Sequence, residues 1–282
     1  MLIFKEIEPL RSFLYNKRAK DHSIGLVPTM GALHHGHLEL VKASKKVNSL
    51  TVCSIFVNPT QFNNSSDLEK YPRSPDQDIE LLNSVDCDVL FFPDKEGMYP
   101  KPSTIKFDFD MLDKVLEGEF RPGHFSGVAL VVSKLFNIVN PTRAYFGQKD
   151  FQQFKVINRF VEELHFNTEL ICFPTLREAD GLAMSSRNLR LTDDQRKTAL
   201  VFCRALMFAK AELKKEKDLK FIKEQVTKMC LQENDVRLEY FELADAENLT
   251  LLENVKKANQ SILLIAGFVG EIRLIDNMFV ED

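Results

Sequence analysis

Cysteine is sparse and unpaired in this chain, which removes two kinds of protein at once. The five cysteines, Cys53, Cys87, Cys172, Cys203 and Cys230, stand singly with no C-x-x-C spacing. That argues against a disulfide framework and against a cysteine zinc site, and several of them read as small buried hydrophobes within apolar segments. Long apolar runs are also lacking: residues 262–266 are far too few to span a bilayer. Residues 1–6 show no basic flank, apolar core or small-residue cleavage site, so the cytoplasm is the expected compartment. Nor is there a surplus of positive charge. The net charge is −4, and the one dense basic stretch, residues 210–220, is interleaved with glutamates and reads as a solvated helix face. No nucleic-acid partner is expected. Two nucleotide motifs are missing as well: G-x-x-x-x-G-K-[ST], which excludes a P-loop, and G-x-G-x-x-G, which removes the usual dinucleotide fingerprint.

What is present is globular. With 282 residues, 44% of them hydrophobic and 28% charged, the chain can bury one large core or two modest ones. The first two thirds alternate short β-like runs with helical patterns, the mark of a Rossmann-like α/β domain, a mostly parallel sheet flanked by helices. Strands are expected over 23–29, 50–57, 89–92, 144–147 and 169–173, and helices over 38–48, 75–84 and 150–164. Residues 127–139 are apolar almost all round, as in a buried helix.

After Pro174 the rhythm changes. Residues 177–188 form a polar loop, followed by helices over 193–216 and 219–232. The first of these has an apolar stripe of Ala199, Phe202, Cys203, Leu206, Ala209 and Leu213, and Thr192 and Gln195 have capping-box spacing at its start. Strands near 237–244, 261–268 and 272–278 complete a smaller α+β domain. The division falls near residues 174–175, giving domains of 1–175 and 176–282.

Three clusters suit phosphate. Residues 27–38 hold His34, His35, Gly36 and His37 where the first strand ends and a helix begins. Ligands of open parallel sheets collect there, and a helix N-terminus offers unpaired N–H groups and a positive dipole end. His34 and His37 could instead begin a metal site, but His22, His124 and His165 show no ligand spacing. The second cluster, residues 146–153, places Lys149 near another helix start, with Asp150 able to accept from ribose hydroxyls. The third, residues 180–188, strings Ser185, Ser186 and Arg187 together, two hydroxyls and a planar fork of donors. Attack on the α-phosphate of a nucleoside triphosphate fits this set. Open rivals are an enzyme adenylylating a phosphorylated alcohol, and a metal- or RNA-binding module built on His34, His35 and His37.

The same segments, together with residues 28–41, 56–62, 116–125, 134–139 and 273–277, resemble the pantothenate synthetase (pantoate–β-alanine ligase) family. That family is similar to the nucleotidyltransferases and class I tRNA synthetases that carry H-x-G-H. The likeness runs from about residue 20 to the C-terminus, in the family's order. His35 and Gln148 depart mildly from it, standing where Glu is frequent.

The resemblance implies ATP-dependent joining of pantoate and β-alanine through a pantoyl adenylate, with Mg²⁺ on the ATP and a homodimeric assembly. It implies an ATP site lined by Met30, Gly31, Ala32, Leu33, His34, His35, Gly36 and His37, then by Gly147, Gln148, Lys149 and Asp150. Leu176 and Met184 would contact adenine, and Ser185, Ser186 and Arg187 the phosphates. His34, His37, Lys149 and Arg187 would be catalytic. Gln61 and Gln153 would bind pantoate with Asn58 in support, and no residue is implied as a direct metal ligand.

Overall fold

The computed structural model describes residues 1–281. By internal contact the chain divides into two units, residues 1–147 with 156–173, and residues 148–155 with 174–282.

The first unit is built on six parallel strands: β1 (Leu2–Phe4), β2 (Ile24–Thr29), β3 (Leu50–Ile55), β4 (Val89–Phe91), β5 (Arg143–Gly147) and β6 (Glu169–Phe173), in the order β1-β4-β3-β2-β5-β6. Its helices are α1 (Ile7–Arg18), α2 (His35–Val47), α3 (Ser65–Glu69), α4 (Pro75–Ser84), α5 (Lys95–Met98), α6 (Glu117–Phe120) and α7 (His124–Val139). The next helix, α8 (Phe151–Glu163), has Val156 and the residues after it in this unit.

Helices crossing both faces bury the central strands; all six residues of β3 are buried. The all-round apolar segment is indeed the buried helix α7, though it begins at His124 rather than at residue 127. Burial pushes the Cys87 thiol up to about 11 and holds Cys53 well above its ordinary value, so both behave as core hydrophobes. From β2 the chain winds outward through β3 and β4, then returns to place β5 on the other side of β2. The strand order therefore reverses between β2 and β5, where open α/β sheets bind ligands at the carboxyl ends.

What seats α2 against the sheet is a close approach at Gly25. A Cβ there would lie 2.0 Å from Ser44 Oγ and 2.7 Å from Asn48 Nδ2. Ser44 and Thr51 share a hydroxyl–hydroxyl bond of 2.7 Å, and Asn48 Nδ2 donates to Tyr145 Oη at 2.7 Å. Helix, β3 and β5 are thereby tied to one another beneath the sequence that carries the histidines.

The second unit is an antiparallel sheet of β7 (Val236–Asp245), β8 (Ser261–Val269) and β9 (Ile272–Phe279) with helices α9 (Asp193–Lys214) and α10 (Leu219–Leu231). The six stripe residues read from the sequence are all buried, five of them in a core shared with Ile222 and Val226 of α10 and Leu243, Leu263 and Ile265 of the sheet. Thr192 Oγ1 accepts from Gln195 N–H at 3.2 Å, and Gln195 Oε1 accepts from Thr192 N–H at 3.1 Å, the reciprocal cap that the spacing suggested.

The Gly25 contact generates a stability prediction. Gly25→Ala overpacks the α2–β2 seam and lowers unfolding free energy by about 1–3 kcal/mol, read by urea denaturation. A variant as stable as the parent would show that the seam opens freely.

Candidate active site

The helix bearing the first histidine cluster begins three residues earlier than its apolar periodicity suggests, at His35, with His34 as an extended N-cap (φ −135°, ψ 173°). Two imidazoles meet at this cap, and the ring of His37 folds back onto it. The backbone N–H of His37 donates to the His34 carbonyl at 2.9 Å, while His37 Nδ1 accepts from the backbone N–H of His34 at 3.3 Å. Ring centroids are 4.0 Å apart. A neutral imidazole that accepts at Nδ1 carries its proton at Nε2, so His37 presents an Nε2–H donor. His35 does not join the pair: it is exposed and its Nε2 faces Glu39 Oε1 at 3.5 Å.

The expected supply of unpaired backbone N–H groups is smaller than the sequence suggested. Gly31 N–H donates to Thr29 Oγ1 at 3.2 Å. Ala32 and Leu33 donate to the two oxygens of Asp78, at 2.9 and 2.7 Å, and His34 is taken by His37. Asp78 is 1% exposed and also accepts from Ser74 Oγ at 3.3 Å. It stands in the first turn of α4, where a carboxylate complements the helix dipole, and it is also the clamp of the Gly31–Leu33 loop. No local signal distinguishes the two roles.

Gln61, also in the first unit, ends the 3₁₀ turn Pro59–Gln61 and is 7% exposed. Asn58 caps that turn, and its Nδ2 donates to Gln61 Oε1 at 3.0 Å and to Gly127 O at 3.1 Å. His124 Nδ1 lies 2.8 Å from Gln61 O, and Arg121 Nη1 lies 3.1 Å from His124 Nε2. A guanidinium only donates, so Nε2 accepts and Nδ1–H donates to the Gln61 carbonyl. The turn lies directly on α7 because Gly127 has no side chain; a Cβ would meet Thr60 O at 2.2 Å. Gln61 Nε2 faces Met30 Sδ at 3.4 Å, which brings the first cluster and the expected acid-binding residue together. Gly147 closes β5 at the carboxyl edge next to β2.

In the second unit, Gln148, Lys149 and Asp150 form a 3₁₀ turn and Gln153 follows in α8. Lys149 Nζ lies 3.8 Å from Asp150 Oδ1. Asn277, 2% exposed, locks this turn: Nδ2 donates to Gln148 O and Lys149 O, both at 2.9 Å, and Oδ1 accepts from Gln148 Nε2 at 3.0 Å. Its neighbour Asp276 holds Arg177 through a bidentate pair of 2.7 and 3.0 Å, and Arg177 Nη1 also donates to Gly181 O at 3.1 Å. Burial alone would pull the Arg177 guanidinium down; the Asp276 carboxylate outweighs it and the pKa lies above the usual arginine value.

Ser185 Oγ caps the 3₁₀ turn Ser186–Arg190 by accepting from Arg187 N–H at 3.3 Å, and Arg187 Nη1 donates to Arg273 O at 3.0 Å. Met184 N–H already donates to Leu176 O at 2.9 Å, so it is spent on the loop itself. Arg177, Asp276 and Asn277 had no role assigned from sequence. The anchors lie about a hundred residues from what they hold, beyond any local pattern. Among the described residues, no three His, Cys, Asp or Glu side chains gather as a metal-holding group.

Comparison with known proteins covers the whole chain. The family model described as pantoate-beta-alanine ligase matches residues 2–279. The pantothenate synthetase of Aquifex aeolicus (strain VF5) is 46% identical over 282 residues, covering 99% of each chain. A crystal structure of pantothenate synthetase from Thermus thermophilus is similar with a TM-score of 0.93 at 38% identity, over 100% of both chains. One of the pantoate-beta-alanine ligase from Francisella tularensis, complexed with beta-gamma ATP and beta-alanine, has a TM-score of 0.82 at 36% identity, covering 100% of this chain and 98% of that one.

The anchor at β9 is open to test. Asp276→Ala leaves the Arg177 charge half-buried and uncompensated, and lowers unfolding free energy by about 3 kcal/mol, measured by chemical denaturation. A loss below about 1 kcal/mol would mean that solvent already screens the pair.

Proposed function

This chain belongs to the pantoate–β-alanine ligase family, and from that premise we propose how its own residues carry the reaction. It is an ATP-dependent ligase that joins pantoate and β-alanine into pantothenate. A pantoate carboxylate oxygen attacks the α-phosphorus of ATP, and the bond to pyrophosphate breaks to give pantoyl adenylate. The β-alanine amine then attacks the acyl carbon and AMP leaves. The readings as an alcohol-adenylylating enzyme or a metal- or RNA-binding module give way to a family match reaching residue 279.

The observation that carries the assignment of residues is the histidine pair at the carboxyl end of β2, with the His37 ring capping the turn, beside the strand-order reversal. In this reading the Nε2–H of His37, with His34 beside it, donates to triphosphate oxygens and offsets charge gathering on the departing pyrophosphate. Lys149 and Arg187 supply two further positive charges. Met30 to His37 and Gly147 to Asp150 line the nucleotide, with Leu176 and Met184 on adenine and Ser185 and Ser186 on phosphate.

Gln61 and Gln153 hold pantoate, with Asn58 behind Gln61. Neutral amides orient a carboxylate without quenching it as a nucleophile, and holding the reactants in line supplies much of the acceleration. ATP enters as its Mg²⁺ complex, the ion riding on phosphate oxygens and water. Residues 1–175 carry the pantoate site and most of the ATP site, while 176–282, with the loop at 177–188, complete the ATP site and act as a lid that keeps water from the anhydride. A cytoplasmic homodimer completes the proposal. Among the described residues no helix is long and apolar enough to cross a membrane.

Exchange of labelled pyrophosphate into ATP, with Mg²⁺ and without β-alanine, tests the half-reaction. Exchange that requires pantoate is expected; folded, ATP-binding protein that shows none would sink the residue-level mechanism. His37→Ala and Lys149→Ala should each lose on the order of 10²–10³ in turnover, as removal of a preorganised donor does.

A further inference from the structure

We propose that Tyr99 is a positioning residue: acting through Asn58, it fixes the Gln61 side-chain amide with its NH₂ end toward the acid substrate. The inference deepens, and rests on, the reading that Gln61 binds pantoate.

An amide's oxygen and nitrogen have nearly the same shape, so only the partners around it decide which end points where. Around Asn58 they leave one choice. The backbone N–H of Thr60 can only donate, and it faces Asn58 Oδ1 at 3.4 Å. The carbonyl of Gly127 can only accept, and it faces Nδ2 at 3.1 Å. With Asn58 thus oriented, the remaining proton of Nδ2 points to Gln61, which must answer with Oε1, at 3.0 Å. Gln61 is left with Nε2 outward.

The atom that Nε2 meets there is Met30 Sδ, at 3.4 Å. A thioether is a weak acceptor, so a hydroxyl or carboxylate oxygen can take its place at little cost. The pocket therefore selects an acid that presents acceptors at this point.

Tyr99 enters from a third segment, just after α5, and donates its hydroxyl to Asn58 Oδ1 at 2.9 Å. Thr60 Oγ1 donates to the same oxygen at 2.9 Å. Burial raises the Tyr99 pKa above its ordinary value, which keeps the phenol a donor. The ring is held by Phe56, centroids 6.0 Å apart, and by the Lys134 ammonium 5.0 Å from its centroid. Asn58 itself is 1% exposed, and the donors on its Oδ1 come from Tyr99 and Thr60. Loss of the phenolic donor leaves Thr60 holding the amide, which loosens Gln61 without reversing it.

The test is steady-state kinetics of pantoate-dependent pyrophosphate exchange for Tyr99→Phe and, in parallel, Gln61→Ala, with thermal unfolding of both. Tyr99→Phe should raise KM for pantoate about fivefold, the worth of one hydrogen bond, with kcat and KM for ATP within about twofold of the parent. Gln61→Ala should raise KM for pantoate further. An unchanged pantoate KM in Tyr99→Phe beside a raised one in Gln61→Ala would overturn the relay and leave the site reading standing. Unchanged pantoate KM in Gln61→Ala would overturn both. Equal shifts in both KM values with a lowered melting temperature would mark Tyr99 as a general packing residue and overturn the proposal.

Discussion

The chain leaves the middle of a parallel sheet and enters a helix with no glycine-rich loop to cradle phosphate, and the turn must satisfy its own backbone donors. It does so completely enough to change the chemistry of the site. Thr29 Oγ1 takes the N–H of Gly31, the Asp78 carboxylate takes those of Ala32 and Leu33, and the His37 ring takes that of His34. In a P-loop, main-chain N–H groups of this kind hold the triphosphate. Here they stiffen the turn, and in the proposed reading anion binding passes to side-chain donors. That is a physical reason for histidines at a position where another nucleotide fold uses glycine.

The side of the same unit proposed to bind the acid follows a similar logic. Asn58, Thr60, Tyr99 and Gly127 satisfy one another around a buried amide, so the polar end of Gln61 turned away from them is Nε2, the end proposed to meet the acid. A half-satisfied amide in such a place would be costly; a fully engaged one is rigid and directional. The second unit applies the principle to charge, with a buried carboxylate on β9 answering Arg177 and the adjacent Asn277 holding the turn that carries Lys149.

How far the sequence made this legible depends on how local each feature is. The buried helix α7, the cap at Thr192 and Gln195 and the apolar stripe of α9 are short-range patterns, and all three are present in the structure. The strand-end position of His34 and His37 was legible for the same reason. By contrast, α1 buries only Leu10 and Leu14, too thin a stripe to stand out, and β1 is three residues long. The clamp of Asp78 on Ala32 spans 46 residues, and that of Asn277 on Lys149 spans 128. No periodicity carries such distances, so second-layer residues were missed although the residues they hold were named.

The central claim is that the cap fixes His37 as an Nε2–H donor before any ligand arrives. Nitrogen-15 NMR of the imidazole, on ligand-free protein at a pH where the ring is neutral, reads this directly. A protonated Nε2 with an unprotonated Nδ1 is the expected result. The opposite tautomer, with the proton on Nδ1, would break the bond from the His34 N–H to the His37 ring and contradict the account.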